Sequence, residues 1–289
     1  MRSPILPLIL VSALAGAGLA CATAAPKSDA AEASTPSVPT AESAEEATPT
    51  PKPEKTPRPA GTYDGKKNGP GWSFVLLGGE RMTVRWSDGD SFKFKDGPYE
   101  GAGVRMTGYN TLESYGPVHR WGKWTAQELY DIASTSKNLG ASQEWECTTT
   151  GERDGYNRVL VSCPKAALHL VQEGHAHVFG IDDPVSGELL AAQKQAQKKK
   201  VGMWAKGVPA SIITSLHSVE EGWDDGGEGP YNRVADARTG QSEKLHHKEA
   251  YGVCQEVCVG PKETQSCMTY VPFSNRYRNK PDCLKAPKK

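Results

Sequence analysis

Between Trp72 and Met106 the apolar residues alternate with polar ones over stretches too short for a helix. The segments "TVRW" at 83–86, "FKF" at 92–94 and "VRM" at 104–106 put every second side chain on one face, the spacing of a strand with one buried side. Phe92 and Phe94 share such a face, and Val104 and Met106 share another with Arg105 opposite. Gly78-Gly79 and Asp88-Gly89 supply turns between the segments. Several short antiparallel strands of this kind close into a small barrel when their edge groups pair with one another.

Helix signals follow. Thr125 caps "AQELYDIASTSKNLG", Glu128 completes a capping box, and Gly140 offers a stop. Leu129, Ile132 and Ala133 form its apolar stripe. "QEWECTTTGERDGYNRVLVSC" reads as two strands about a polar turn, with Val159, Val161 and Cys163 on one face and Arg158 and Leu160 on the other. "ALHLVQEG" is a short helix ended by Gly174, and "SGELLAAQKQAQKKKVGMW" a longer one with Leu189, Ala192, Ala196 and Met203 toward a core. Lys194 and Lys198 to Lys200 coat its solvated side. The order predicts an all-antiparallel barrel carrying helices.

Not all 289 residues read as foldable. Residues 1–20 have the layout of a signal peptide: Arg2, an apolar stretch, then small residues before Cys21. "GLAC" resembles a bacterial lipobox, which implies acylation of Cys21 and anchoring to a lipid bilayer in the cell envelope. Cleavage after "ATA" at 22–24 would instead release a secreted protein. Residues 21–69 are rich in Ala, Pro, Thr and Glu and are expected to form a disordered tether, because they offer too little apolar surface to offset ordering. The barrel domain is placed at 70–205 and a cysteine-containing extension at 206–289.

Lys plus Arg equals Asp plus Glu at 34 each, so any polyanion partner must be held by local charge. Beyond Cys21, six cysteines remain, an even number that suits an oxidising compartment. Cys147 and Cys163 flank the second predicted hairpin, and a bond between them would add about 3 kcal/mol by loop closure. Cys254, Cys258, Cys267 and Cys283 leave three pairings open. With His246 and His247, three of these cysteines also permit a zinc site as an alternative.

Five motifs stand in order: "DGD" at 88–90, "VRMTGYNTLE" at 104–113, "RDGYNRVLV" at 153–161, "VQEGHAHV" at 171–178 and "AQKQAQKKKVGMW" at 192–204. Together they resemble a staphylococcal-nuclease-like (thermonuclease) domain over residues 80 to about 204. The resemblance implies a mainly β protein with helices, built on a five-stranded OB-fold-like barrel; it does not account for the C-terminal extension, which its cysteines mark as small and disulfide-rich. It implies calcium (Ca2+) bound by Asp90, Asn110 and the Thr111 carbonyl, with Arg105, Glu113 and Arg158 catalytic and Tyr156 at the substrate. Where the family has "DTPE" or "DAPE", this sequence has "NTLE", keeping Glu113 but exchanging a carboxylate for the Asn110 amide. The family's tyrosines after the "QEG" helix are not found in "HAHVFGIDDP"; Phe179 offers an aromatic surface there.

The chemistry of these residue types is coherent. Water attack on a phosphodiester needs a base beside the water and positive charge on the phosphate oxygens. Glu113 supplies the first, and the guanidinium forks of Arg105 and Arg158 supply the second. The expectation is a calcium-dependent endonuclease on DNA, with RNA as a further substrate, leaving 3'-phosphate ends. The alternative is a non-catalytic nucleic-acid or protein binding module of the cell envelope. The extension's own protein partner is unknown.

Overall fold

A computed structural model describes residues 71–116, 118–181, 184–222 and 226–284. The predicted signal peptide and the whole of the tether, Cys21 included, lie outside the described residues.

The alternating segments form strands β1 (Trp72–Leu77), β2 (Glu80–Trp86), β3 (Phe92–Phe94) and β4 (Val104–Met106). β5 (Tyr109–Thr111) and β6 (His119–Trp121) follow. Helix α1 (Ala126–Gly140) precedes β7 (Trp145–Cys147) and β8 (Val159–Val161), and α2 (Pro164–Gln172) precedes β9 (Ala176–Val178) and α3 (Gly187–Lys199). The capping box at Thr125 and Glu128 is formed as the sequence predicts. Gly140, however, is no left-handed stop. It is the last residue of the helix and lies against the Trp86 ring, where a Cβ would come within 2.6 Å of the indole.

Pairing is not all antiparallel. β1 pairs with β2 and β2 with β3 antiparallel, but β7 joins β1 in parallel and β8 joins β4 in parallel. The predicted 145–163 hairpin shrinks to two isolated bridges, Thr148 with Ser162 and Arg153 with Val159, because its two arms are drawn to different neighbours. No continuous closed ladder exists among the described residues. Between the sheet β3-β2-β1-β7 and the pair β4-β8 the ladder is carried by the isolated bridges Lys93–Gly103 and Thr148–Ser162. Three-residue strands carry too few ladder bonds to make the ring continuous. Inside it, Val75, Val84, Phe94, Val159, Val161 and Leu170 are completely buried.

The C-terminal region is also β-rich. β10 (Ser211–Ser215), β11 (Tyr231–Asp236) and β12 (Ser242–His246) make one antiparallel sheet. β13 (Glu256–Val259) and β14 (Ser266–Thr269) make a hairpin, and the short helix α4 (Phe273–Tyr277) follows. β14 pairs antiparallel with β6, so this hairpin shares a sheet with a strand that lies between β5 and α1. Disulfides join Cys147 to Cys163, Cys254 to Cys283 and Cys258 to Cys267. That removes the zinc alternative, since Cys254, Cys258 and Cys267 have no thiolate to offer. Among the described residues no helix is long and apolar enough to cross a membrane.

Candidate active site

The "DGD" turn between β2 and β3 is pressed against two other elements. A Cβ on Gly89 would stand 2.6 Å from the Thr111 methyl and 2.8 Å from the Ser136 Cβ, so only glycine lets the turn approach β5 and α1. The Tyr109 hydroxyl donates to the Gly89 carbonyl at 2.8 Å, and the Met106 amide donates to the Asp90 carbonyl at 2.9 Å. These bonds fix Asp90 beneath β4 and β5.

Asp90 is buried and fully engaged. Its Oδ2 accepts from Arg105 Nη1 at 2.7 Å and from the Thr111 amide at 2.9 Å, and its Oδ1 accepts from Ser91 Oγ at 2.8 Å. Arg105 uses its other terminal nitrogen, Nη2, on Asn110 Oδ1 at 2.6 Å. One guanidinium therefore bridges the two side chains that the sequence assigns to a cation. Phe179, half-buried, lies 5.9 Å from that guanidinium and so supports Arg105 from one side.

Charge organises what direct bonds do not. Burial acts to raise the Asp90 pKa, but Arg105 and the hydrogen bonds overcome it and hold the carboxyl below its ordinary value. Asp88 is pushed well above its ordinary value by burial and then by the Asp90 carboxylate. Glu113 is raised by burial first and by Asp90 second, against the lowering pull of Arg276, Arg105 and Arg158 in that order. Glu113 thus shares one electrostatic environment with Arg105 and Arg158. Arg158 is held by Asp154, with its Nε and Nη2 on the same Oδ2 at 2.7 Å and 2.6 Å. Tyr156 is exposed, its ring 5.5 Å from the Arg158 guanidinium.

Residues 103–206 match the family model described as staphylococcal nuclease homologue. The chain carries a staphylococcal-nuclease-like domain. A search of the curated proteins found no match. Within this nuclease-like domain the matched span takes in Arg105, Asn110, Thr111, Glu113, Tyr156 and Arg158, while Asp90 precedes it.

The nuclease-like site suits a hard cation by its donors. Asp90, Asn110 and the Thr111 carbonyl would offer a cation oxygen atoms only, and Thr111 Oγ1 is buried without a partner among the described residues. Asp88 adds a second carboxylate whose crowding against Asp90 a cation would relieve.

Sequence reading missed several members. His119 accepts the Glu113 amide on Nε2 at 3.3 Å, and burial with the neighbouring His177 takes its pKa down to about 3. His177 lies opposite Asn110 in the β5–β9 ladder. Asp88 was legible only as a turn residue. Arg276, the strongest cationic influence on Glu113, comes from α4, and no motif spacing links it to the nuclease-like site.

Proposed function

We propose that residues 70–205 are a calcium-dependent endonuclease that hydrolyses the phosphodiester bonds of DNA, and of RNA in addition, leaving 3'-phosphate ends. The observation that supports it is the convergence of one carboxylate, Glu113, with the charges of Arg105 and Arg158 beside a buried all-oxygen cluster. We read the bridged ring of six short strands, β1, β2, β3, β4, β8 and β7, as an interrupted counterpart of the expected five-stranded OB-fold-like barrel.

In this reading Glu113 orients the attacking water and takes its proton; a raised pKa makes it a stronger base than a solvated glutamate. Arg105 and Arg158 meet the non-bridging phosphate oxygens with donors not spent on Asp90, Asn110 and Asp154. Their high pKa suits them to stabilise growing negative charge rather than to transfer protons. Tyr156 flanks Arg158 and contacts the substrate. Asp90, Asn110 and Thr111 would hold calcium, which when bound supplies further positive charge to the phosphate.

Cleavage of single-stranded DNA by the full chain, with calcium and after chelation, tests the reading. Loss of product on chelation is expected, and equal cleavage in both conditions removes the metal from the scheme. A non-catalytic binding module is the second reading, favoured by the neutral Asn110 whose amide oxygen already serves Arg105. It predicts retention of DNA without product across a broad metal screen.

We further propose that the protein acts in the cell envelope, anchored to the lipid bilayer through acylated Cys21. Mass analysis of membrane-extracted protein should find that modification; an unmodified chain starting at Ala25 would point to secretion instead.

A further inference from the structure

Resting on the nucleic-acid reading above, we propose that the C-terminal extension forms part of the substrate groove, with Tyr277 a stacking platform for a nucleobase of a single strand and Arg276 a phosphate-binding cation beside it. No feature of the nuclease-like motifs includes either residue. Three independent pieces of geometry put them there.

The first is the tether. β14 pairs with β6, and the Thr269 amide donates to the Val118 carbonyl at 2.9 Å, so the chain leading into α4 is tied to the loop that follows Glu113. The Cys254–Cys283 disulfide closes around this segment from its far side. The Phe273 amide, at the start of α4, donates to Glu221 Oε1 at 3.4 Å. A helix of five residues would not hold its place alone, but these links fix both of its flanks.

The second is direct packing on the Glu113 loop. The stem of Arg276 lies over Gly116, where a Cβ would approach its Cδ to 3.0 Å and its Cγ to 3.3 Å. Arg276 Nε donates to the Val271 carbonyl at 3.0 Å, which sets the direction of the guanidinium. Tyr277 packs its ring 6.3 Å from that of Tyr115, tilted by 34°.

The third is the composition of the groove that Tyr277, the neighbour of Arg276, helps to line. It has a volume of about 550 Å³, within the general range for ligand sites, and both Tyr115 and Tyr277 line it. Arg85, Lys93, Lys95, Lys137 and Arg158 line it too, against a single acid, Asp88. In a chain of zero net charge that is a strong local excess of positive charge. An apolar ligand has no use for five cations, and a free phosphate has no use for an aromatic wall. A single-stranded polynucleotide uses both, with its backbone following the cations and its bases stacking on the rings. Tyr277 remains 63% exposed, so its ring has a face to offer.

Binding of labelled oligodeoxythymidylate to the full chain tests this, measured by fluorescence anisotropy in calcium at fixed salt, in a Glu113→Gln background that suppresses turnover. Tyr277→Ala is expected to weaken binding roughly 5- to 100-fold, the range for loss of one stacked base. Tyr277→Phe should stay within about twofold of its parent, because stacking needs the ring and not the hydroxyl. Arg276→Gln should lower the slope of log affinity against log salt by about 0.7, the loss of one phosphate contact on a single strand. Unchanged affinity in Tyr277→Ala, or an equal loss in Tyr277→Phe, overturns the stacking role. An unchanged salt slope in Arg276→Gln overturns the cation role. If the wild-type chain cleaves DNA while Tyr277→Ala in the Glu113→Gln background binds normally, the nuclease reading stands and this inference falls. If the chain neither binds nor cleaves DNA, both fall.

Discussion

Asp154 grips Arg158 at two nitrogens with one carboxylate oxygen, while its other oxygen accepts the backbone amides of Tyr156 and Arg158 at 3.0 Å and 2.9 Å. The same carboxylate therefore shapes the turn and aims the guanidinium. Asp154→Asn keeps an acceptor for the backbone but weakens the hold on Arg158. Its cleavage rate should drop about 10- to 100-fold with the melting temperature little changed, the scale of loss for a misplaced catalytic group. A wild-type rate would mean that Arg158 needs no anchor, or takes no part.

Glu113→Gln preserves size and the backbone bond to His119 but cannot accept a proton. Turnover on single-stranded DNA should drop by about 10²- to 10⁴-fold, the usual contribution of a positioned general base. Full activity in this variant would remove Glu113 from that role.

Asn110→Asp restores the carboxylate that the family pattern has at this position. Arg105 already reaches Oδ1, so the new charge is partly compensated before any ion arrives. Calcium affinity, followed by titration calorimetry, should rise. Unaltered or weaker binding would remove Asn110 from the ligand set.

His119 and His177 are buried, and their pKa values lie at about 3 and about 4, lowered chiefly by burial. Unfolding exposes both rings to water, where the ordinary value is about 6.5. Between the folded and unfolded values the unfolded chain binds more protons, so stability is complete above pH 6.5 and declines as the pH falls toward 4. The decline approaches about 1.4 kcal/mol per pH unit for each ring. Urea midpoints measured from pH 7 to pH 4.5 should shift downward, and less so in His119→Gln if that variant folds.

Where a contact is local, the sequence announces it. The capping box at Thr125 needs only Glu128 three residues on, and the alternation around Phe92 and Val104 reports which faces are buried. The Asp90, Arg105, Asn110 and Thr111 cluster was legible because the family motifs "DGD" and "VRMTGYNTLE" hold those residues in fixed order. Strand partners were not legible. Nothing in "WEC" at 145–147 says that it will lie parallel to β1 rather than against β8, since the choice depends on where α1 delivers the chain. Gly140 does end the helix, but the demand for glycine there comes from Trp86, more than 50 residues away in sequence, and not from the helix itself. Arg276 and Tyr277 stayed hidden because their position is set by the β6–β14 ladder and by Cys254–Cys283, both long-range.

The β6–β14 ladder also orders events in time. His119–Trp121 emerges from the ribosome long before Ser266–Thr269, and until the later strand exists the earlier one has an unsatisfied edge. The loop between Glu113 and α1 therefore cannot reach its final form while the chain is still short. A nascent polypeptide of this sequence carries an open strand edge at His119–Trp121 until synthesis has passed Thr269.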